Sequence, residues 1–197
     1  MIIKKHNNDY ETYDITIQKE DKTLRVYQLG MDPNLSCQYE GYVPISKIQF
    51  EICEEDETLY PIFNKLYENI ISGNILGENP SDEKTQERME ENRNLQWYSD
   101  IVTDDVITVL CDAYPKSCPN ILKIYKEVGK IILDFSKVDG MEYKSKNCIS
   151  INIRQSGSRL YDFCHPFNTL FSELQNVPEV DEQQVLKLEK DSNQSHL

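Results

Sequence analysis

Between residues 13 and 53 apolar and polar side chains alternate in short runs, the period of strands with one buried face. Tyr13, Ile15 and Ile17 interleave with Asp14, Thr16 and Gln18. A polar turn at Glu20-Asp21-Lys22 follows, then the β-forming run Thr23 to Leu29, so the pattern predicts an antiparallel hairpin. Gly30, Pro33, Gly41 and Pro44 mark a loop, after which Ile48, Phe50 and Ile52 alternate with Lys47, Gln49 and Glu51 as a third strand. The first third of the chain thus reads as a small meander.

The period then changes. Leu59, Ile62, Phe63, Leu66 and Ile70 recur at helical spacing, with Pro61 in the first turn and Gly73 at the stop, which predicts a helix from about Thr58 to Ser72. Asp56 and Glu57 would meet the positive end of that helix. Residues 78–96 are polar on every side, with Met89 and Leu95 as the only apolar anchors, and read as an exposed helix or a linker inserted into one domain.

Val106 to Cys111 is an apolar strand. Beyond Pro119 two periods compete. Ile121, Tyr125, Val128, Ile132 and Phe135 fit an amphipathic helix with Lys123, Glu127, Lys130, Asp134 and Lys137 on its wet side; Leu122, Ile124, Ile131 and Leu133 fit a hairpin turning at Val128-Gly129. The helix is the expectation. Ile149, Ile151 and Ile153 alternate as a further strand, and Phe167, Leu170, Phe171 and Leu174 form a short helix after Pro166. Together these elements predict an α+β fold: a mainly antiparallel sheet with about three helices, near Thr58, Pro119 and Pro166, packed on it. Residues 1–177 would form one domain, and the polar tail 178–197 would be partly disordered, with at most a marginal helix near Gln183 to Lys190.

Composition narrows the setting. No run approaches the roughly 20 apolar residues that span a bilayer, and MIIKKHNNDY has no apolar stretch of signal-peptide length, so a cytoplasmic protein without membrane association is expected. Cys37, Cys53, Cys111, Cys118, Cys148 and Cys164 are accordingly expected as free, mostly buried thiols. The formal net charge is −13, and it is unevenly spread: residues 1–100 hold ten Lys and Arg against twenty Asp and Glu, whereas residues 116–159 hold nine against four. Such a field disfavours direct nucleic-acid binding and favours a basic partner.

Candidate catalytic chemistry is sparse. Cys111 and Cys118 are separated by six intervening residues, wider than the short Cys-x2–4-Cys knuckle that opens most zinc sites, and neither a metal nor a cofactor is expected. His165 is the one base that could activate a thiol at Cys111, Cys118 or Cys164. A metal-dependent nuclease would use Asp112 or Asp134 with Glu142 and Lys144. Arg154, Ser156, Ser158 and Arg159, around the SGSR loop, would suit an anion. Lys116, Lys123, Lys126, Lys130 and Lys137 would face nucleic acid, solvent or the protein's own acidic half.

The stretch ISINIRQSGSRLYDFCHPFNTLF, Ile149 through Phe171, resembles the closing segments of small uncharacterised proteins of low-GC Gram-positive bacteria and their mobile elements. An isoleucine strand, a serine-rich turn and a PFN helix start follow one another there. Such elements often encode acidic inhibitors of defence systems, so the resemblance implies a non-enzymatic interaction protein, an acidic inhibitor of a nucleic-acid-handling or defence complex. Its contact surface would comprise Glu51, Glu54, Glu55, Asp56, Glu57, Glu83, Glu87, Glu90 and Glu91.

Overall fold

The computed structural model describes residues 1–7, 13–29, 44–111, 120–138, 148–154 and 161–194. The fold is α+β, as the patterns predict, but its strands divide between two sheets. The first has the order β1 (Ile2–Asn7), β2 (Tyr13–Lys19), β3 (Lys22–Leu29), with a last strand, Cys148–Arg154, that runs parallel to β3 from Thr23↔Cys148 to Leu29↔Arg154. The β2–β3 hairpin closes at Lys19↔Lys22 over the expected polar turn.

β4 (Pro44–Cys53) corrects the meander. It leaves the hairpin and forms one edge of the second sheet, which is antiparallel throughout. Three helices follow β4: α1 (Tyr60–Ser72), α2 (Glu83–Arg93) and α3 (Gln96–Ile101). Then come β5 (Val102–Thr103), β6 (Val106–Cys111), β7 (Asn120–Glu127) and β8 (Lys130–Val138), in the spatial order β4-β8-β7-β6-β5. The parallel strand Cys148–Arg154 is β9, and α4 (Tyr161–Asn176) and α5 (Glu182–Gln194) complete the elements. The reason for the departure of β4 is side-chain matching: Ile48, Phe50 and Ile52 lie opposite Phe135, Leu133 and Ile131, which bury the same face.

The helix expected over 119–138 is instead the β7–β8 hairpin, closed at Glu127↔Lys130. Val128, which a helix would have buried, projects fully into solvent at the turn, and Gly129 adopts φ 73°. A turn with positive φ at its second central residue favours glycine. Strand pairing buries Leu122, Ile124, Ile131, Leu133 and Phe135 on one face, whereas the helical stripe would have left Leu122, Ile124, Ile131 and Leu133 off it. The larger burial wins.

α1 follows its sequence signals, with Pro61 in its first turn and Gly73 (φ 77°) ending it by donating its N–H to the Ile70 carbonyl. α4 starts at Tyr161, so Pro166 lies inside it and not at its start. α5 covers the stretch expected at most as a marginal helix and runs on to Gln194. One continuous apolar cluster joins Ile17 and Leu24 of the first sheet, Phe50 and Leu133 of the second, Phe63 of α1 and Phe171 of α4. α1 packs on the second sheet, α4 on the first, and the two helices meet, with Lys65 and Glu173 paired at 2.6 Å. Among the described residues no helix is long and apolar enough to cross a membrane.

Candidate acidic interaction surface

The nine acidic positions separate into two places. The first follows β4. Glu51 lies on the strand and pairs with Lys130 of β8 at 3.0 Å, while Lys19 Nζ donates to the Glu51 carbonyl at 3.3 Å. Asp56 Oδ1 accepts from the N–H groups of Thr58 and Leu59 at 3.1 and 2.8 Å, just ahead of α1. Both carboxylates therefore have structural work, as sequence suggested for the cluster around Asp56. Glu54, Glu55 and Glu57 are exposed, and among the described residues no side chain pairs with their carboxylates.

The second place is α2. Its start is fixed by Asp82, whose side chain accepts from Thr85 N–H at 3.1 Å. At 100° per residue, Glu83, Glu87, Glu90 and Glu91 fall within about a 100° arc. Thr85, Met89 and Asn92 occupy the opposite arc, and Thr85 is the one buried residue of the helix. That inner arc is docked on the segment after α1 by polar bonds: Asn92 Nδ2 donates to the Gly73 carbonyl at 2.9 Å, Arg93 to the Ser72 carbonyl at 2.5 Å, and Arg88 pairs with Glu78. Asn74, nearly buried, braces the loop by exchanging hydrogen bonds with the backbone of Glu78 at 2.8 and 3.1 Å. The recess beneath α2 has a volume of about 10 Å³, room for at most one water.

The result is a docked helix whose outer face carries four glutamates, edged by Lys84. All four glutamates are exposed, and none has an ion-pair partner among the described residues. Glu83 with Glu87 and Glu87 with Glu91 are like-charge neighbours four apart, an arrangement that opposes helix stability by a few tenths of a kcal/mol each. The structure does not bring the two acidic places together: residues 54–57 precede the start of α1 and α2 docks at its end, about 20 Å away by helix rise.

Two lysines of the basic stretch are spent internally. Lys130 bridges Glu51 and Glu127, and Lys126 pairs with Glu68 while lying 5.0 Å above the Tyr67 ring. For Lys126 and Lys130 the partners are the protein's own carboxylates. Lys123 alone of these three stands exposed, at the register position facing Asp134.

Of the catalytic candidates, only Asp134 and His165 have described side chains. Asp134 accepts from Gln49 Nε2 at 3.3 Å, and the same amide donates to Tyr125 Oη at 3.2 Å; burial, then Asp134, pushes that phenol up. Asp112, Glu142 and Lys144 lie outside the described residues, as do Cys37, Cys118, Lys116, Ser156, Ser158 and Arg159. Arg154 ends β9 opposite Leu29. His165 is exposed on α4. Among the described residues no group of three His, Cys, Asp or Glu is placed to hold a metal ion.

Sequence reading missed the polar residues that seat α2: Asn74, Glu78, Arg88, Asn92 and Arg93. Their partners are mainly backbone carbonyls and loop groups, which leave no periodic trace. The chain matches no protein-family model, no curated protein and no solved structure.

Proposed function

We propose that this protein is a non-enzymatic binding protein whose α2 presents Glu83, Glu87, Glu90 and Glu91 to a basic, nucleic-acid-handling surface of a protein partner. The observation that carries the reading is the combination on one helix: an inner face fastened by Arg88, Asn92 and Arg93, and an outer face of four exposed glutamates. Carboxylates four residues apart repeat about every 6 Å along the axis, a regular line of negative charge such as a groove built for phosphates would accept. Like-charge neighbours cost helix stability, and contact with a cationic surface would reverse the sign of that term.

Inhibition of a nucleic-acid or defence machine by charge imitation is the specific form of this reading. Glu54, Glu55 and Glu57 would form a separate, smaller contact at the other end of α1.

The experiment is affinity capture from cells at low and high salt, with mass spectrometry of the eluate, using the wild type and a variant with all four α2 glutamates changed to Gln. Capture of a basic nuclease, polymerase or defence subunit that salt releases and the variant fails to hold supports the reading. Equal capture by both proteins overturns it.

A further inference from the structure

One edge of the first sheet is β1, with sequence Ile2-Ile3-Lys4-Lys5-His6-Asn7, and the other is β9. An unpaired strand edge offers N–H and C=O groups to any extended chain that reaches it. Here the chain covers the β1 edge itself, and briefly. After α4 the segment Pro178-Glu179-Val180-Asp181 crosses β1 as an isolated antiparallel bridge. Ile3 N–H donates to the Val180 carbonyl at 2.9 Å, and Val180 N–H returns the bond to the Ile3 carbonyl at 3.0 Å. One step along, the Glu179 carboxylate takes the place of a backbone carbonyl: its Oε1 accepts from Lys5 N–H at 2.7 Å. Lys5 Nζ donates to the Gln175 carbonyl.

The edge is basic and the strap acidic in sequence, and the Glu179 carboxylate is held by the Lys5 backbone N–H. β1 carries Lys4 and Lys5 in sequence, and the strap carries Glu179 and Asp181, followed by Glu182. The cover takes both backbone groups of Ile3 and the N–H of Lys5, and the isolated bridge does not continue to Asn7. Two β1 edges would place lysine against lysine, which disfavours pairing between copies.

We infer that β1 is a strand-addition site for an acidic extended segment of a partner, with the strap Pro178–Asp181 as its resident occupant in cis. A partner strand with a β-branched residue at the position of Val180 and acidic residues beside it would reproduce the strap's bonds and extend the ladder along β1. Because the strap is tethered, it competes at high effective concentration, so the partner segment binds well only when the strap is displaced. This surface is distinct from the acidic face of α2.

The test uses full-length isotope-labelled protein and a synthetic peptide of residues 176–184, NVPEVDEQQ, titrated by NMR. Two variants open the strap: Glu179→Lys, which leaves the Ile3–Val180 bonds possible but removes the carboxylate that accepts from the Lys5 N–H, and Val180→Pro, which removes the returning N–H. The expected result is faster amide exchange at Ile3 and Lys5 in both variants, and peptide-induced shifts centred on Ile2–Asn7 at least tenfold tighter than in the wild type. A peptide with its acidic residues changed to Lys would produce no such shifts. Equal binding to wild type and opened variants, or no shifts in β1 at saturating peptide, overturns the proposal. If Val180→Pro disturbs the fold, Glu179→Lys decides alone.

Discussion

Lys130 of β8 holds Glu51 of β4 at 3.0 Å and Glu127, across its own turn, at 3.3 Å. One residue of the basic stretch thereby compensates two carboxylates at the end of the second sheet. Glu51→Gln is accordingly expected to leave salt-sensitive partner capture unchanged, whereas Glu54, Glu55 and Glu57 changed together to Gln should weaken any contact made beside α1. Captured partner measured against salt concentration for the two variants checks this.

Replacing all four α2 glutamates with Gln should abolish capture without loosening the fold. Each like-charge pair four apart opposes the helix by about 0.3 kcal/mol, partly offset by the favourable position of Glu83 in the first turn. Urea unfolding should show stability equal to wild type or up to about 0.5 kcal/mol higher. A loss of more than about 1 kcal/mol would mean the glutamates serve the fold.

Gly129 and Gly73 separate backbone strain from crowding. Both have positive φ, but a Cβ at Gly129 would meet nothing within 4 Å, while one at Gly73 would lie 2.7 Å from the Met89 carbonyl oxygen of α2. Gly129→Ala is expected to cost about 1 kcal/mol, and Gly73→Ala distinctly more because α2 must shift. Chemical denaturation gives both values, and Gly73→Ala should also raise proteolysis within residues 74–95.

Asp104 and Asp105 form the β5–β6 turn with φ of 52° and 59°, the pair of positive values that type I′ turns require and that Asn-Gly supplies at lower cost. Changing the pair to Asn-Gly should stabilise the protein by about 1 kcal/mol. Tyr67 would keep its 2.8 Å bond, since it donates to the Asp105 backbone carbonyl.

Tyr67 also carries a pH signature. Burial, then the charges of Asp105 and Glu68, raise its phenol above the ordinary 10.0. A raised folded value means the neutral form is preferred in the fold, so this contribution is complete below about pH 10 and is lost as pH climbs through the folded value. Tyr67→Phe should cost about 1 kcal/mol at pH 7 and reduce the alkaline decline in stability measured by urea unfolding above pH 10.

The contrast between α1 and the 119–138 segment explains how much was legible. In α1 the apolar spacing, Pro61 and Gly73 all favour one period, and the helix forms where they place it. In β7–β8 one stretch carries two competing periods on different residues, and the decision comes from Ile48, Phe50 and Ile52, which offer a matching strand far away in sequence. Nothing local encodes that offer. The acidic face of α2 was legible as charge, but its docking was not, because it depends on Asn92 and Arg93 reaching carbonyls of Gly73 and Ser72. The strap at Val180 was hidden for a similar reason: a single bridge has no periodicity.

The parallel pairing of β3 with β9 sets an order of events during synthesis. Thr23 finds its neighbour Cys148 about 125 residues later in the chain. At about 5–20 residues per second, a ribosome needs roughly 6–25 s to deliver that strand. Through that interval Leu24 and Val26 belong to a nascent hairpin whose inner edge is still vacant. Until residue 154 is made, β3 is an edge strand, and its sheet is completed only by the second half of the protein.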